Sequence, residues 1–153
     1  MGAVQCITLL FIHQWRAETV LARSYVVRRP PPVTPRRVLV VDDFRDSRYV
    51  TCIGLGLRGH TCDGVGSSRG ALEAIGTFRP DVVVLEWALR DGTGLGLATR
   101  LRQAAAAHGV ALRVIAVSTQ YEPMGMCATE GFEAYLSKPV SMDELDELLR
   151  ASG

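Results

Sequence analysis

The chain has 153 residues, 48% of them hydrophobic and 22% charged, with a formal net charge of +1. That size and balance exclude a disordered chain and predict one globular domain with an extension. The near-zero charge gives no reason to expect direct nucleic-acid contact. Sixteen of the seventeen basic residues are arginine, so Lys138, the one lysine, stands out as a candidate for work that a compact ammonium does and a planar guanidinium does not.

Residues 1–37 hold six arginines and Glu18, net +5, against −4 for the remainder. The opening stretch AVQCITLLFIHQWRAETVLAR reads either as a poorly ordered tail or as an amphipathic helix bringing Ile7, Leu10, Phe11 and Trp15 together. RRPPPVTPRR favours extended polyproline II and ends any preceding helix, so 1–35 is expected to be an extension with a linker and 36–153 the domain. The apolar run Ile7–Ile12 is far shorter than the roughly 20 residues of a membrane span. Its first charge, Arg16, follows the apolar stretch where a secretory signal wants it before. A cytoplasmic protein without a membrane span is expected.

From Arg36 onward short β-rich runs alternate with helical periodicity. Val38–Val41 is an all-apolar run of the kind buried on both faces, and it ends at Asp42-Asp43. A weaker strand covers Thr61–Val65. Val82–Leu85 follows the Pro80-Asp81 breaker and ends at Glu86; Val114–Val117 ends at Ser118-Thr119; Ala134–Leu136 ends at Ser137-Lys138-Pro139. Helices are predicted over 46–59, 68–78, 94–107, 121–129 and 141–151, the last opened by the capping pattern Ser141-Met142-Asp143-Glu144. Five βα units predict an α/β fold of flavodoxin-like type, a doubly wound five-stranded parallel sheet with helices on both faces.

In such sheets functional groups gather at the carboxyl ends of the strands. Asp42, Asp43, Glu86, Ser118 and Lys138 all fall there. Clustered carboxylates repel and need a divalent cation or an ammonium to stay ionised together, which fits an oxygen-rich Mg²⁺ site with Lys138 as counter-charge. Cys6, Cys52, Cys62 and Cys127 show no CxxC or Cys/His spacing and are expected to be buried thiols. His13, His60 and His108 form no metal-ligand pattern.

This constellation, with the segments RRVLVVDD, PDVVVLEWALRDGTGLGLATRLR, VIAVST and FEAYLSKPVSMDELDELL, resembles the receiver domain of bacterial two-component response regulators over about Arg36 to Arg150. The resemblance implies Mg²⁺ bound by Asp42, Asp43, residue 86 and the Ala88 carbonyl. It implies a phospho-acceptor at position 86, a switch pair at Ser118 and Tyr135, and a phosphoryl contact from Lys138. A cis peptide often precedes the proline at the Pro139 position. The histidine kinase or phosphotransfer protein that supplies the phosphoryl group is the implied partner. Output is expected by protein contact through the fourth helix, fifth strand and fifth helix, in a stand-alone receiver because the sequence stops after its last helix.

The pattern breaks at Glu86, where the family carries aspartate. One extra methylene displaces the carboxylate by about 1.5 Å. In-line phosphoryl transfer depends on positions held to within such distances. A non-enzymatic pseudo-receiver is therefore expected, with weakened Mg²⁺ binding and Glu86 as a partial phosphoryl mimic. The alternatives are an active receiver, phosphorylated at Glu86 or elsewhere, and a scaffold without switching.

Three short motifs point elsewhere. Gly54-Leu55-Gly56-Leu57-Arg58-Gly59 fits GxGxxG but falls inside and at the end of a predicted helix. Gly92-Thr93-Gly94-Leu95-Gly96-Leu97 looks like a kinase ATP-binding box without its accompanying motifs. Gly66-Ser67-Ser68-Arg69-Gly70 fits GxSxG, with Asp91 and His108 following in the order of an esterase triad, yet that reading leaves the acidic edge unexplained.

Overall fold

The structure, a computed structural model, describes residues 34–119 and 131–151. The predicted helix 121–129, the N-terminal apolar stretch, Cys6, Cys127 and His13 lie outside those residues. The chain divides between Pro31 and Pro32, within the proline run. The elements, in order, are β1 (Arg37–Val41), α1 (Arg45–Leu57), β2 (Thr61–Val65), α2 (Ser68–Thr77), β3 (Val82–Glu86), β4 (Ala88–Leu89), β5 (Gly92–Thr93), α3 (Gly94–Ala107), β6 (Arg113–Ser118), β7 (Ala134–Ser137) and α4 (Met142–Arg150).

Five strands form one parallel sheet in the order β2-β1-β3-β6-β7, the doubly wound arrangement expected. Alternate residues of the apolar strands point to opposite faces, so each strand feeds two cores. Leu39, Val41, Val83, Leu85 and Val114 pack with Ala71 and Ile75 of α2 and Leu97 and Leu101 of α3. Val38, Val40, Val84, Ile115 and Val117 pack with Leu55 of α1 and Leu145 and Leu149 of α4. β2, at the sheet edge, buries none of its five residues fully.

Local signals start the helices. Ser67 accepts from the Gly70 amide at 3.1 Å ahead of α2, and Ser141 accepts from the Glu144 amide at 3.3 Å ahead of α4, as the capping pattern predicts. His60 is buried: its Nδ1 accepts from the Arg36 amide at 3.1 Å, and its Nε2 lies 2.9 Å from Asp146 Oδ1. With Nδ1 accepting, the ring proton sits on Nε2 and donates to Asp146. The histidine ties the start of β1 to α4.

The two-residue strands β4 and β5 form an antiparallel hairpin after β3, pairing Ala88 with Thr93 and Leu89 with Gly92. Elements this short carry no periodicity, which is why the sequence gives no sign of them. Gly94 follows directly. A Cβ there would stand 3.1 Å from the Trp87 Cα and 3.2 Å from the Glu86 carbonyl, so only glycine lets α3 start against the end of β3. The glycine-rich run is packing, not a nucleotide box. Gly54 likewise faces Met142 of α4 inside α1, where no phosphate site is formed.

Candidate functional site

The strand order reverses between β1 and β3, and the register pairs Val41 with Leu85. The next residues, Asp42 and Glu86, therefore emerge side by side at the switch point. Ser118 pairs with Ser137 at the end of β6 and β7, and Lys138 follows one residue on, its amide donating to the Ser118 carbonyl at 2.8 Å. The Lys138-Pro139 bond is cis.

Lys138 Nζ lies 2.7 Å from Asp42 Oδ2 and 2.5 Å from Glu86 Oε2. One ammonium thus bridges two buried carboxylates, whose side chains are 6% and 8% exposed. The other oxygens are also engaged. Asp42 Oδ1 accepts from the Phe44 amide at 2.8 Å, Oδ2 accepts from the Ser47 hydroxyl at 2.8 Å, and Glu86 Oε1 accepts from the Ala88 amide at 3.2 Å. Arg48 donates to the Asp42 carbonyl at 2.5 Å.

Asp43 is not part of the lysine cluster. It pairs with Arg90 at 2.9 Å, a contact the sequence did not point to because Arg90 lies in the hairpin turn. The acidic edge is thus neutralised by two protein cations, Lys138 for the buried pair and Arg90 at the exposed rim. Among the described residues no three acidic, histidine or cysteine side chains form a group that could hold one. The cavity lined by Asp42, Glu86 and Lys138 measures only ≈ 10 Å³, about enough for one water. Of the positions expected to hold a metal, Asp42 and Glu86 meet Lys138 and Asp43 meets Arg90. Ala88 donates its amide to Glu86 and pairs with Thr93 in the hairpin.

The charges have a consequence for stability. Burial pushes the Asp42 carboxyl up, but hydrogen bonds from Lys138, the Phe44 amide and Ser47 outweigh it and hold it below its ordinary 3.8. Burial pushes Lys138 down, and its bonds to Asp42 and Glu86 outweigh that and hold it above its ordinary 10.5. Asp146 is also lowered: burial opposes ionisation, and Arg150 and His60 overcome it. A lowered carboxyl contributes stability above its unfolded value and loses it as pH falls through the folded one; a raised lysine contributes below its unfolded value and loses it on the alkaline side. Melting temperatures should therefore fall below about pH 4, with the Asp42 and Asp146 contributions lost there, and the Lys138 contribution should persist until above about pH 10. A pH series of thermal melts checks this, with the acid drop reduced in Asp146→Asn.

The remaining candidates are placed as follows. Ser118 is buried at the end of β6. Tyr135 is half-buried and packs against the core that α2 and α3 cover, so it is at least partly a core aromatic. Thr119, exposed, lines an open cleft of ≈ 580 Å³ with Phe44, Val50, Lys138 and Pro139. The esterase reading fails on geometry. Ser68 Oγ donates to Asp91 Oδ1 at 2.9 Å and its amide to Oδ2 at 2.8 Å, which fixes the hairpin turn to the start of α2. His108 instead lies beside Gly76, two helical turns or about 12 Å from Ser68. Cys52 and Cys62 are not the buried thiols expected: both are half-buried and their sulfurs are bonded to each other, with the Cα atoms 5.3 Å apart. Nine intervening residues across a helix and a turn gave no spacing signal for that pairing.

Residues 38–150 match the response regulator receiver domain family. The chain belongs to that family. The transcriptional regulatory protein KdpE of Mycobacterium tuberculosis is 31% identical over 115 residues, which is 75% of this chain and 50% of KdpE. The response regulator MprA of Mycolicibacterium vanbaalenii is 32% identical over 117 residues, 76% of this chain and 50% of MprA. The receiver chain thus spans about half the length of these curated relatives. A response regulator receiver domain from Methylobacillus flagellatus, described as CheY-like, superposes with a TM-score of 0.69 at 30% identity, covering 77% of this chain and 98% of that one. Receiver domains generally bind Mg²⁺ at the phosphorylation site and interact with histidine kinases or phosphotransfer proteins. The family is a signalling family. Among the described residues no helix is long and apolar enough to cross a membrane.

Proposed function

We propose that this receiver domain is a pseudo-receiver, a cytoplasmic signalling module in which Glu86 stands at the phospho-acceptor position as a standing, partial substitute for a phosphoryl group. The observation that carries the reading is the 2.5 Å contact between Glu86 and Lys138, the residue that in the family meets the phosphoryl group. The longer glutamate reaches the ammonium without any modification and leaves a cavity of only ≈ 10 Å³. One negative charge and two oxygens replace the nearly two charges and three oxygens of a phosphoryl group, so the mimicry is partial. Mg²⁺ is not needed to hold the acidic edge together, because Lys138 and Arg90 supply the positive charge.

Output then goes through protein contact. Ser118 and Tyr135 are the proposed switch residues, and the proposed face comprises 121–129, which lies outside the described residues, with β7 and α4. The partner class is a histidine kinase, a phosphotransfer protein or an effector of the same pathway. Exposed apolar side chains on and beside α1, among them Tyr49 at 68% and Leu57 at 83% exposure, support a protein that works by contact.

Acetyl phosphate with Mg²⁺ followed by intact mass tests the reading. The native chain should gain no phosphoryl group, and Mg²⁺ alone should move its melting temperature by less than about 1 °C, which corresponds to a few tenths of a kcal/mol. One phosphoryl group mapping to Glu86 would overturn the proposal in favour of an active receiver.

A further inference from the structure

Side chains of α1 lie directly over two glycines in and just after β2. A Cβ on Gly64 would stand 3.3 Å from Arg48 Cγ and 3.4 Å from Cys52 Sγ, and one on Gly66 would stand 2.9 Å from Arg48 Nη1. Gly64 in the edge strand and Gly66 just beyond its end put no side chain in the way of Arg48. Arg48 and Cys52, one helical turn apart, lie over Gly64, and Cys52 meets Cys62 of β2.

The pair is reachable from solvent. Both cysteines are half-buried and line an open cleft of ≈ 280 Å³ with Arg45, Arg48 and Tyr49. Guanidinium groups beside a thiol favour the thiolate, the form that begins exchange. The 5.3 Å between the Cα atoms lies within the range a disulfide spans, so bonding and release need no backbone rearrangement. A permanent structural disulfide is instead usually shielded from exchange.

We propose that Cys52 and Cys62 form a reversible redox site that staples α1 to β2. The oxidant class is a low-molecular-weight disulfide. The Cys52 thiolate attacks one sulfur of that disulfide and releases a thiolate; the Cys62 thiolate then attacks the Cys52 sulfur of the mixed disulfide and releases the second. Two electrons pass from the protein pair to the small disulfide, and the two protein thiols lose two protons. The staple acts on the candidate site through α1, because Ser47 and Arg48 on that helix hold the side chain and carbonyl of Asp42. This inference is independent of whether Glu86 takes a phosphoryl group.

The test uses the full chain with Cys6→Ser and Cys127→Ser, so that only the pair can react. The protein is equilibrated in glutathione buffers running from fully reduced to fully oxidised, quenched in acid, alkylated and weighed intact. The expected result is a change from two alkyl groups to none within the series. The disulfide form should melt about 5 to 15 °C higher than the dithiol, the size expected for closing a short loop, and Cys62→Ser should abolish that difference. Two alkyl groups at every ratio, none at every ratio, or a stable glutathione adduct in place of the internal bond would each overturn the proposal.

Discussion

Lys138→Met should lower the melting temperature by about 10 to 20 °C at neutral pH. The ammonium is the shared partner of Asp42 and Glu86, at 2.7 and 2.5 Å, and both carboxylates are buried. Removing one partner of a buried ion pair leaves uncompensated charge in a poorly solvated place, which costs about 3 to 5 kcal/mol. For a domain of this size that translates into the drop stated. Methionine keeps the length and flexibility of the stem, so lost packing adds little. Because the cluster is shielded from solvent, the deficit should survive in about 1 M salt, where exposed pairs are screened. Arg90→Ala supplies the contrast: Arg90 is 82% exposed, and its loss should move the melt by no more than about 2 °C. A Lys138→Met drop as small as that of Arg90→Ala would show that the buried carboxylates do not depend on the ammonium. Lys138→Arg separates charge from shape. A planar guanidinium does not reproduce a point contact to two carboxylates, so a partial loss is expected.

The second large effect is a gain. Glu86→Asp should make the chain accept a phosphoryl group from acetyl phosphate in the presence of Mg²⁺ at least about a hundredfold faster than the native protein. Shortening the side chain by a methylene draws the carboxylate back by about 1.5 Å. The 2.5 Å contact with Lys138 would open, and the space that Glu86 now fills would become available to an incoming group. Misplacement by about 1 Å is worth about a hundredfold in a reaction that depends on alignment. Time courses of intact mass on the two proteins, with the adduct mapped by proteolysis, measure the ratio. If the aspartate variant stayed as inert as the native chain, residue 86 alone would not explain the silence, and the Asp43–Arg90 pair would be the next feature to remove.

Much of the fold was legible because its signals are local and repeated. Runs such as Val82–Leu85 are apolar at every position since both faces of the strand are covered, and each ends at a polar residue where the sheet ends. Ser141 and Glu144 mark the start of α4 through a bond made within four residues. The hairpin of β4 and β5 left no such trace, because two residues per strand are too few to show a period. The glycines misled for a related reason. A motif such as GxGxxG records spacing, whereas the need for glycine at positions 54 and 94 comes from neighbours far along the chain or from a backbone packed end-on.

The candidate site divides in the same way. Sequence alone determined that Asp42, Asp43, Glu86, Ser118 and Lys138 lie at one edge, since strand ends in a parallel sheet with right-handed crossovers fall on the same side. It also marked Lys138 through composition, sixteen arginines to one lysine. Which carboxylate meets which cation was decided only by the tertiary structure. The β1–β3 register sets Asp42 beside Glu86 under Lys138, and the hairpin carries Arg90 to Asp43. The bond between Cys52 and Cys62 depends on how closely α1 settles over Gly64 and Gly66. Pairings of this kind turn on a few ångströms between distant segments, and a one-dimensional pattern does not hold such distances.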